Sequence, residues 1–218
     1  MFKKILIANR GEIAIRVIRA CKEMGIKTVA VYSKADQFSL HIKFADEAIC
    51  IGAGPPLESY LNIPRIIAAA EISNADAIHP GYGFLAENAQ FSAICEENGF
   101  SFIGPDSETI DLMGNKVNAR KVAEESDVPI VPGSNALTSV DDLLEIANNI
   151  GYPVMLKASG GGGGKGMRVL NNASESEKGF GIIQSEAIKA FNNAEIYVEK
   201  FIKNGRHIEV QILGDKFG

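Results

Sequence analysis

The sequence contains no tryptophan, few aromatic residues, only three cysteines and no excess of basic charge. Its 22 lysines and arginines are outnumbered by 27 aspartates and glutamates, which leaves no positive field for a phosphodiester backbone, so we expect no nucleic acid partner. Cys21, Cys50 and Cys95 are widely spaced within apolar stretches, a pattern typical of reduced thiols and not of a metal site or a disulfide framework. No run of 18 apolar residues occurs, so we expect no membrane span.

Apolar residues make up 46% of the 218 residues, which is enough to form a buried core. In the first 104 residues, apolar β-branched runs alternate with helical periods. Strands are predicted at 4–9, 28–33, 47–52, 76–81 and 100–104. This alternation is typical of a parallel sheet with helices on its faces, so the fold class is α/β, beginning with a doubly wound, Rossmann-like parallel sheet.

The second half follows a different pattern. Prolines at 129 and 132 exclude a continuous helix, so a new unit is predicted to begin near residue 130. Ser139 with Asp142, and Ser174 with Glu177, have the spacing of capping boxes that open helices. Strands are predicted at 152–159, 166–172, 195–201 and 206–213.

Five consecutive glycines, Gly160 to Gly164, precede Lys165 and Gly166. A Walker P-loop is excluded because Ser159 takes the first glycine position, Gly166 replaces the Ser or Thr, and a strand follows. A linker is disfavoured because the run joins two strands at hairpin spacing. Each ordered glycine costs up to about 1 kcal/mol relative to alanine, so the run favours a flap whose N–H groups cover phosphate oxygens. Lys157, ending the preceding strand, lies where it could reach the same phosphates.

A dinucleotide site is the weaker interpretation. The turn NRGEIA after the first strand has one glycine, and Glu12 places a carboxylate where a pyrophosphate would bind. In GAGPPL, Leu57 replaces the third glycine of the fingerprint.

Five segments together resemble one family: ANRGEIA (8–14), SYLN (59–62), AIHPGYGFLAEN (77–88), LMGNK (112–116) and KASGGGGGKGMR (157–168). They are similar, in order and over nearly the whole length, to biotin carboxylase, an ATP-dependent ligase of the ATP-grasp superfamily. The resemblance implies four regions: the N-terminal biotin carboxylase α/β domain at 1–104, a helical connection at 105–129, the ATP-grasp lid with its glycine-rich hairpin at 130–202, and the first strand of a truncated ATP-grasp core at 203–218.

The resemblance also implies ATP-binding residues. They are Lys116, Lys157, Gly163 and Gly164 at the phosphates, Met167 at the adenine, the hinge residues Glu199, Lys200, Phe201 and Ile202, and His207. Glu209 shares a strand face with His207 and is a candidate catalytic residue. Tyr82 and Gly83, at the end of a parallel strand, are candidates for the biotin and bicarbonate region.

Two histidines and one helix face have other interpretations. His79 fits a buried structural role as well as a chemical one, and His41 is predicted at the surface. Arg16, Arg19 and Glu23 lie on one side of the first helix, where the resemblance implies a homodimer contact and where a solvated face explains them equally well.

The reaction implied is carboxylation of biotin by bicarbonate through carboxyphosphate, with ATP and Mg²⁺ or Mn²⁺ as cofactors and carrier-bound biotin as substrate. The implied partners are a biotin carboxyl carrier protein and carboxyltransferase subunits. Met1 directly before the first strand favours the cytoplasmic subunit of a bacterial acetyl-CoA carboxylase in fatty acid synthesis. The alternatives are the same domain of a pyruvate, propionyl-CoA or other acyl-CoA carboxylase, a non-catalytic nucleotide-binding module, and, less favoured, another ATP-grasp ligase. The family's metal carboxylates lie beyond Gly218, so no metal site and no complete active site are expected within 1–218.

Overall fold

The computed structural model describes residues 1–159, 166–191 and 194–215, and the chain divides into two compact units, Met1–Gly114 and Asn115–Gly218. The division falls within the predicted helical connection, between its two helices.

The first unit is described throughout and contains a five-stranded parallel sheet in the order β3-β2-β1-β4-β5. Its elements are β1 (Lys4–Ile7), α1 (Gly11–Glu23), β2 (Lys27–Ser33), α2 (Leu40–Phe44), β3 (Glu47–Gly52), α3 (Ile63–Ser73), β4 (Ala77–His79), α4 (Ala89–Glu97), β5 (Ser101–Phe102) and α5 (Ser107–Gly114). The predicted doubly wound α/β sheet is confirmed.

Strand β1 is apolar on both faces because both faces are covered. Ile5 and Ile7 pack in a core with residues of α1, whereas Leu6 and Ala8 pack in a second core with residues of α3 and α4. Alternate residues of a strand point to opposite faces, so a continuous apolar run is what a doubly covered strand requires.

The described residues of the second unit form a three-stranded antiparallel sheet in the order β7-β6-β8, with helices packed against it. Its elements are α6 (Lys116–Glu125), α7 (Val140–Ile150), β6 (Val154–Ala158), β7 (Met167–Leu170), α8 (Ala173–Phe191) and β8 (Ile196–Lys200). On β6, Val154, Leu156 and Ala158 are buried, while Met155 and Lys157 on the other face are partly exposed. One face of the sheet therefore forms a core, and the other is open to polar chemistry.

The two predicted capping boxes have different outcomes. Ser139 caps α7 as expected, since its hydroxyl accepts a hydrogen bond from the Asp142 N–H at 3.1 Å. The Ser174 prediction is wrong: α8 begins at Ala173, and Asn172 accepts from the Glu175 N–H at 3.0 Å. Strand β7 ends at Leu170, and only two residues separate it from α8, so the side chain of Asn172, directly before Ala173, takes the capping position.

Two further expectations are corrected. The described part of the last segment, 203–215, forms no strand, because no neighbouring strand is hydrogen-bonded to it and Ile208, Val210 and Ile212 remain exposed. His41 is fully buried and not at the surface, because α2 packs it against β2, where its Nε2 lies 3.2 Å from the Val31 carbonyl oxygen. Within the described residues, no helix combines the length and apolar character needed to cross a membrane.

Candidate functional site

The first polar cluster lies at the carboxyl edge of the parallel sheet. Strand β1 sits between β2 and β4, so the chain leaves β1 toward one side of the sheet and later continues on the other. This is the switch point of an open α/β sheet, where loops diverge and ligands bind. The loops after β1 and β4 meet there, and the Ala8 N–H donates to the His79 carbonyl at 2.9 Å.

Tyr82 and Gly83, the candidates for the substrate region, lie in the loop after β4. The Tyr82 side chain is 61% exposed, and its hydroxyl donates to Glu12 Oε1 at 2.8 Å. This hydrogen bond and the charge of Glu12 raise the pKa of Tyr82, so the phenol stays protonated at neutral pH. Gly83 has φ +65°, a left-handed conformation that suits glycine.

His79 ends β4 and has a structural role in the same loop. Its Nδ1 accepts a hydrogen bond from the Gly81 N–H at 3.0 Å, and burial lowers the pKa of His79. A neutral imidazole is therefore the form that supports the loop, and His79 itself is only partly buried.

Arg10 is the centre of a cluster that sequence reasoning missed. Its guanidinium lies 5.5 Å from the ring centre of Tyr60 and 5.6 Å from that of Phe84, two rings stacked at 5.0 Å. Asp36 accepts from the Tyr60 hydroxyl at 2.8 Å and from the Ser33 hydroxyl at 2.6 Å. Burial opposes ionisation of Asp36, but these hydrogen bonds and the Arg10 charge outweigh it and lower its pKa.

The cluster around Arg10 joins loops that are distant in the sequence, so no local spacing of residues predicts it. The one available signal was the polar run that follows β1, in which Asn9, Arg10 and Glu12 occur together at a strand's carboxyl end.

The second polar cluster lies on the open face of the antiparallel sheet. Lys157, near the end of β6, pairs through its ammonium with Glu199 Oε1 on β8, and the two side chains are only 20% and 19% exposed. Partial burial strengthens such a pair relative to one in water. The predicted phosphate lysine and the first hinge residue are thus in direct contact.

Lys116 is the first residue of α6, whose start is attached to the same end of β6. Asn115 caps α6 by accepting from the Val117 N–H at 2.9 Å and the Asn118 N–H at 3.1 Å. The Ser159 hydroxyl donates to the Asn115 oxygen at 3.2 Å, so the helix start lies beside the segment that follows Lys157. The α6 N-terminus adds a partial positive charge to this region.

The other hinge residues are fixed at the end of β8. Lys200 Nζ donates to the Gly151 carbonyl at 2.8 Å, its backbone N–H donates to Pro132, and the Phe201 N–H donates to Pro153 at 3.2 Å. Ile202 follows and is 57% exposed. The segment 199–202 is therefore held in place by the chain on both sides of it.

The remaining predicted nucleotide contacts have different surroundings. Met167 begins β7 opposite Lys157 and is 44% exposed. His207 and Glu209 are hydrogen-bonded to each other at 3.1 Å and are both largely exposed. Gly163 and Gly164 lie outside the described residues.

The described ranges 1–159, 166–191 and 194–215 contain no group of three or more His, Cys, Asp or Glu side chains that could hold an ion. The positive and hydrogen-bonding groups of β6, β8 and α6 suit an anionic ligand.

Two family models together span almost the entire chain. The model described as "Biotin carboxylase, N-terminal domain" matches residues 1–110, and "Carbamoyl-phosphate synthase L chain, ATP binding domain" matches residues 115–218. Biotin carboxylase of Haemophilus influenzae is 56% identical over all of the chain and 49% of its own length. Human mitochondrial pyruvate carboxylase is 52% identical over 99% of the chain and 18% of its own length.

Solved structures agree with these matches. A biotin carboxylase of Campylobacter jejuni, in a complex named β-γ-ATP, superposes with a TM-score of 0.95 at 53% identity, covering 100% of this chain and 49% of that one. The biotin carboxylase domain dimer of Hydrogenobacter thermophilus 2-oxoglutarate carboxylase, solved with MgADP, ADP and bicarbonate, has a TM-score of 0.87 at 52% identity, covering 94% of this chain and 45% of that one. The chain spans about half the length of the biotin carboxylases that it matches. With a family model over its first half and this degree of identity throughout, the chain belongs to the biotin carboxylase family.

Proposed function

We propose that the chain provides the N-terminal half of a biotin carboxylase. In the proposed reaction, ATP phosphorylates bicarbonate to carboxyphosphate, and the carboxyl group then passes to N1 of biotin on a carrier protein, with release of phosphate. Identity above one half over the entire chain, to proteins named biotin carboxylase, is the observation that supports this activity.

The geometry of the second unit is consistent with a nucleotide site. Lys157 and Lys116 would neutralise the phosphates of ATP, and the glycine run between β6 and β7 would cover them. Glu199, Lys200, Phe201 and Ile202 would contact the adenine and ribose, together with Met167 and His207. Mg²⁺ or Mn²⁺ would accompany ATP, but we assign it no ligand among these residues, because they offer no carboxylate cluster.

The pairing of Lys157 with Glu199 would orient the lysine ammonium for binding a phosphate. An ammonium held by a carboxylate is oriented before the ligand arrives, and it can share its three N–H groups with an incoming phosphate oxygen. Glu199 would in turn accept hydrogen bonds from the nucleotide. The same pair would therefore link recognition of the phosphates to recognition of the nucleoside.

The regions of the chain are proposed as 1–104 for the N-terminal α/β domain, 105–129 for the helical connection, 130–202 for the lid and 203–218 for the start of the core. In the complete protein, the exposed apolar residues of 206–213 would then be covered by further strands. His207 and Glu209, on this segment, would take their functional positions with it.

We further propose the cytoplasmic first half-reaction of an acetyl-CoA carboxylase, in fatty acid synthesis, with a biotin carboxyl carrier protein and carboxyltransferase subunits as partners. A homodimer is proposed, and exposed Arg16, Arg19 and Glu23 on α1 are available for it. The alternative is the same domain of a pyruvate or acyl-CoA carboxylase, since human pyruvate carboxylase is 52% identical over this region.

The test is an assay of the full-length protein that contains this chain. ATP cleavage should require bicarbonate and rise with free biotin, and carboxybiotin should form from labelled bicarbonate. Nucleotide binding without carboxybiotin would favour a non-catalytic module and refute the proposal. Purification with a carboxyltransferase and a biotinylated carrier, followed by assays with acetyl-CoA, propionyl-CoA and pyruvate, separates the possible acceptors.

A further inference from the structure

The loop that follows β4, Pro80 to Phe84, adopts a conformation that most sequences avoid. Gly81, Gly83 and Phe84 have φ of +67°, +65° and +42°. Left-handed conformations are unfavourable for a residue with a side chain such as Phe84, so such a loop persists only if its surroundings hold it. Phe84 is held in part by stacking on Tyr60.

Asn9 holds the other side of this loop. Its side chain is 3% exposed, and its Nδ2 donates to the Pro80 carbonyl and to the Tyr82 carbonyl, each at 2.8 Å. Its Oδ1 accepts from the Arg10 N–H at 2.8 Å. The amide therefore uses both N–H groups and its oxygen to join the loops after β1 and β4.

Aspartate, serine and alanine would each lose some of these hydrogen bonds. Aspartate has the same shape but offers no donor, serine offers one donor in place of two, and alanine offers none. A Cβ on Gly81 would lie 2.6 Å from Asn9 Nδ2. Position 81 therefore has no room for a side chain beside Asn9, and position 9 has no room for a larger side chain beside Gly81.

Glu12, in the first turn of α1, controls the exposed side chain of the same loop. It accepts the hydrogen bond from the Tyr82 hydroxyl at 2.8 Å, although the two residues are 70 positions apart. An exposed tyrosine ring samples several rotamers unless its end is tethered, and this bond supplies the tether.

We propose that Asn9 and Glu12 are positioning residues for the Pro80–Phe84 loop: Asn9 sets the path of its backbone, and Glu12 sets the direction of the Tyr82 ring toward biotin. This inference rests on the proposed function and on the expectation, from the family resemblance, that Tyr82 and Gly83 lie in the biotin and bicarbonate region. Asn9 and Glu12 belong to the first unit, whereas the residues proposed to bind the nucleotide belong to the second. Loss of either one should impair the use of biotin and spare the use of ATP.

The experiment measures bicarbonate-dependent ATP cleavage by the full-length protein with free biotin as the probe. Asn9→Ala and Asn9→Asp should each raise the KM for biotin about tenfold or more, since misplacing a positioned group by an ångström costs up to about a hundredfold. The KM for ATP should remain at the wild-type value. Glu12→Ala should raise the KM for biotin, and Glu12→Gln should restore it, because the glutamine oxygen still accepts from Tyr82.

Ser73→Ala is the matched control. Ser73 is also buried and also donates to two backbone carbonyls, those of Ala69 at 2.7 Å and Ala70 at 3.1 Å, but it precedes β4 and lies at the opposite edge of the sheet. It should leave the KM for biotin unchanged. If Asn9→Ala does not fold, the exposed Glu12 variants decide the question.

The proposal is overturned if the Asn9 variants change the KM for biotin no more than Ser73→Ala does, or if Glu12→Gln is as impaired as Glu12→Ala. It is also overturned if the KM for ATP rises in parallel, because that indicates a general structural defect. A wild-type protein with no biotin-dependent activity refutes the proposed function itself, so the two failures are distinguishable.

Discussion

Replacing Lys157 with alanine is the sharpest test of the nucleotide assignment, because the structure shows what this ammonium contacts within the protein. Its partner, Glu199, is 19% exposed and lies on the neighbouring strand of the same sheet. Without Lys157, a partly buried carboxylate is left unpaired where ATP phosphates are proposed to bind. The variant should therefore lose an attractive contact and gain a repulsive one.

The magnitude follows from the energy of a charged hydrogen bond. Such a bond contributes about 1.5 to 3 kcal/mol, and about 1.4 kcal/mol corresponds to a factor of ten in affinity. The Kd for ATP, measured by isothermal titration calorimetry on the full-length protein, should rise about 10- to 150-fold in Lys157→Ala. Adding Glu199→Gln in the same chain should recover part of the loss, since it removes the unpaired charge.

Lys121→Ala is the matched control for removing a lysine. Lys121 lies on α6 in the same unit, is 69% exposed and forms a surface ion pair with Glu125 at 3.8 Å. Its loss should leave the Kd for ATP unchanged. If Lys157→Ala and Lys116→Ala bind ATP as tightly as Lys121→Ala does, the phosphate assignments are wrong.

Three further outcomes are expected. Burial opposes ionisation of Asp46, but hydrogen bonds from Lys27 and Thr28 lower its pKa to about 2. The ionised Asp46 carboxylate thus stabilises the folded state above pH 4, and this contribution is lost as the pH falls toward 2. Asp46→Asn should lower the free energy of unfolding at pH 7 by about 1 kcal/mol after solvent screening, and equal stability in urea titrations at pH 7 would contradict this. Burial also lowers the pKa of His41 and of His79, so the unfolded chain binds protons that the folded chain does not, and stability should decline as pH falls below 6.5. His41→Gln should reduce that decline. If the stability of this variant falls with pH in parallel with that of the wild type, His41 is not buried in its neutral form. Residues 1–218 alone should show no biotin-dependent ATP cleavage. Measurable turnover would show that the reaction needs no residues beyond these 218.

Periodicity in the sequence was sufficient to predict most elements of the fold. The five strands of the first unit lie within a few residues of their expected positions, because burial on both faces leaves a continuous apolar run in each central strand. The errors came where the local signal was ambiguous or the partner was distant. Asn172 and Ser174 are both capable caps, and His41 stands in a short segment of mixed polar and apolar residues whose burial depends on contact with β2.

The amino-acid sequence by itself determined the alternation of strands and helices, the glycine run and the motifs that identify the family, since all of these are encoded in residue types at short spacing. Only the tertiary structure decided which distant residues meet. Parallel pairing of β1 with β4 brings Asn9 within hydrogen-bonding distance of Tyr82, 73 positions away, and antiparallel pairing of β6 with β8 brings Lys157 to Glu199, 42 positions away. Strand order is set by the packing of whole elements, so no local pattern could have placed these side chains together.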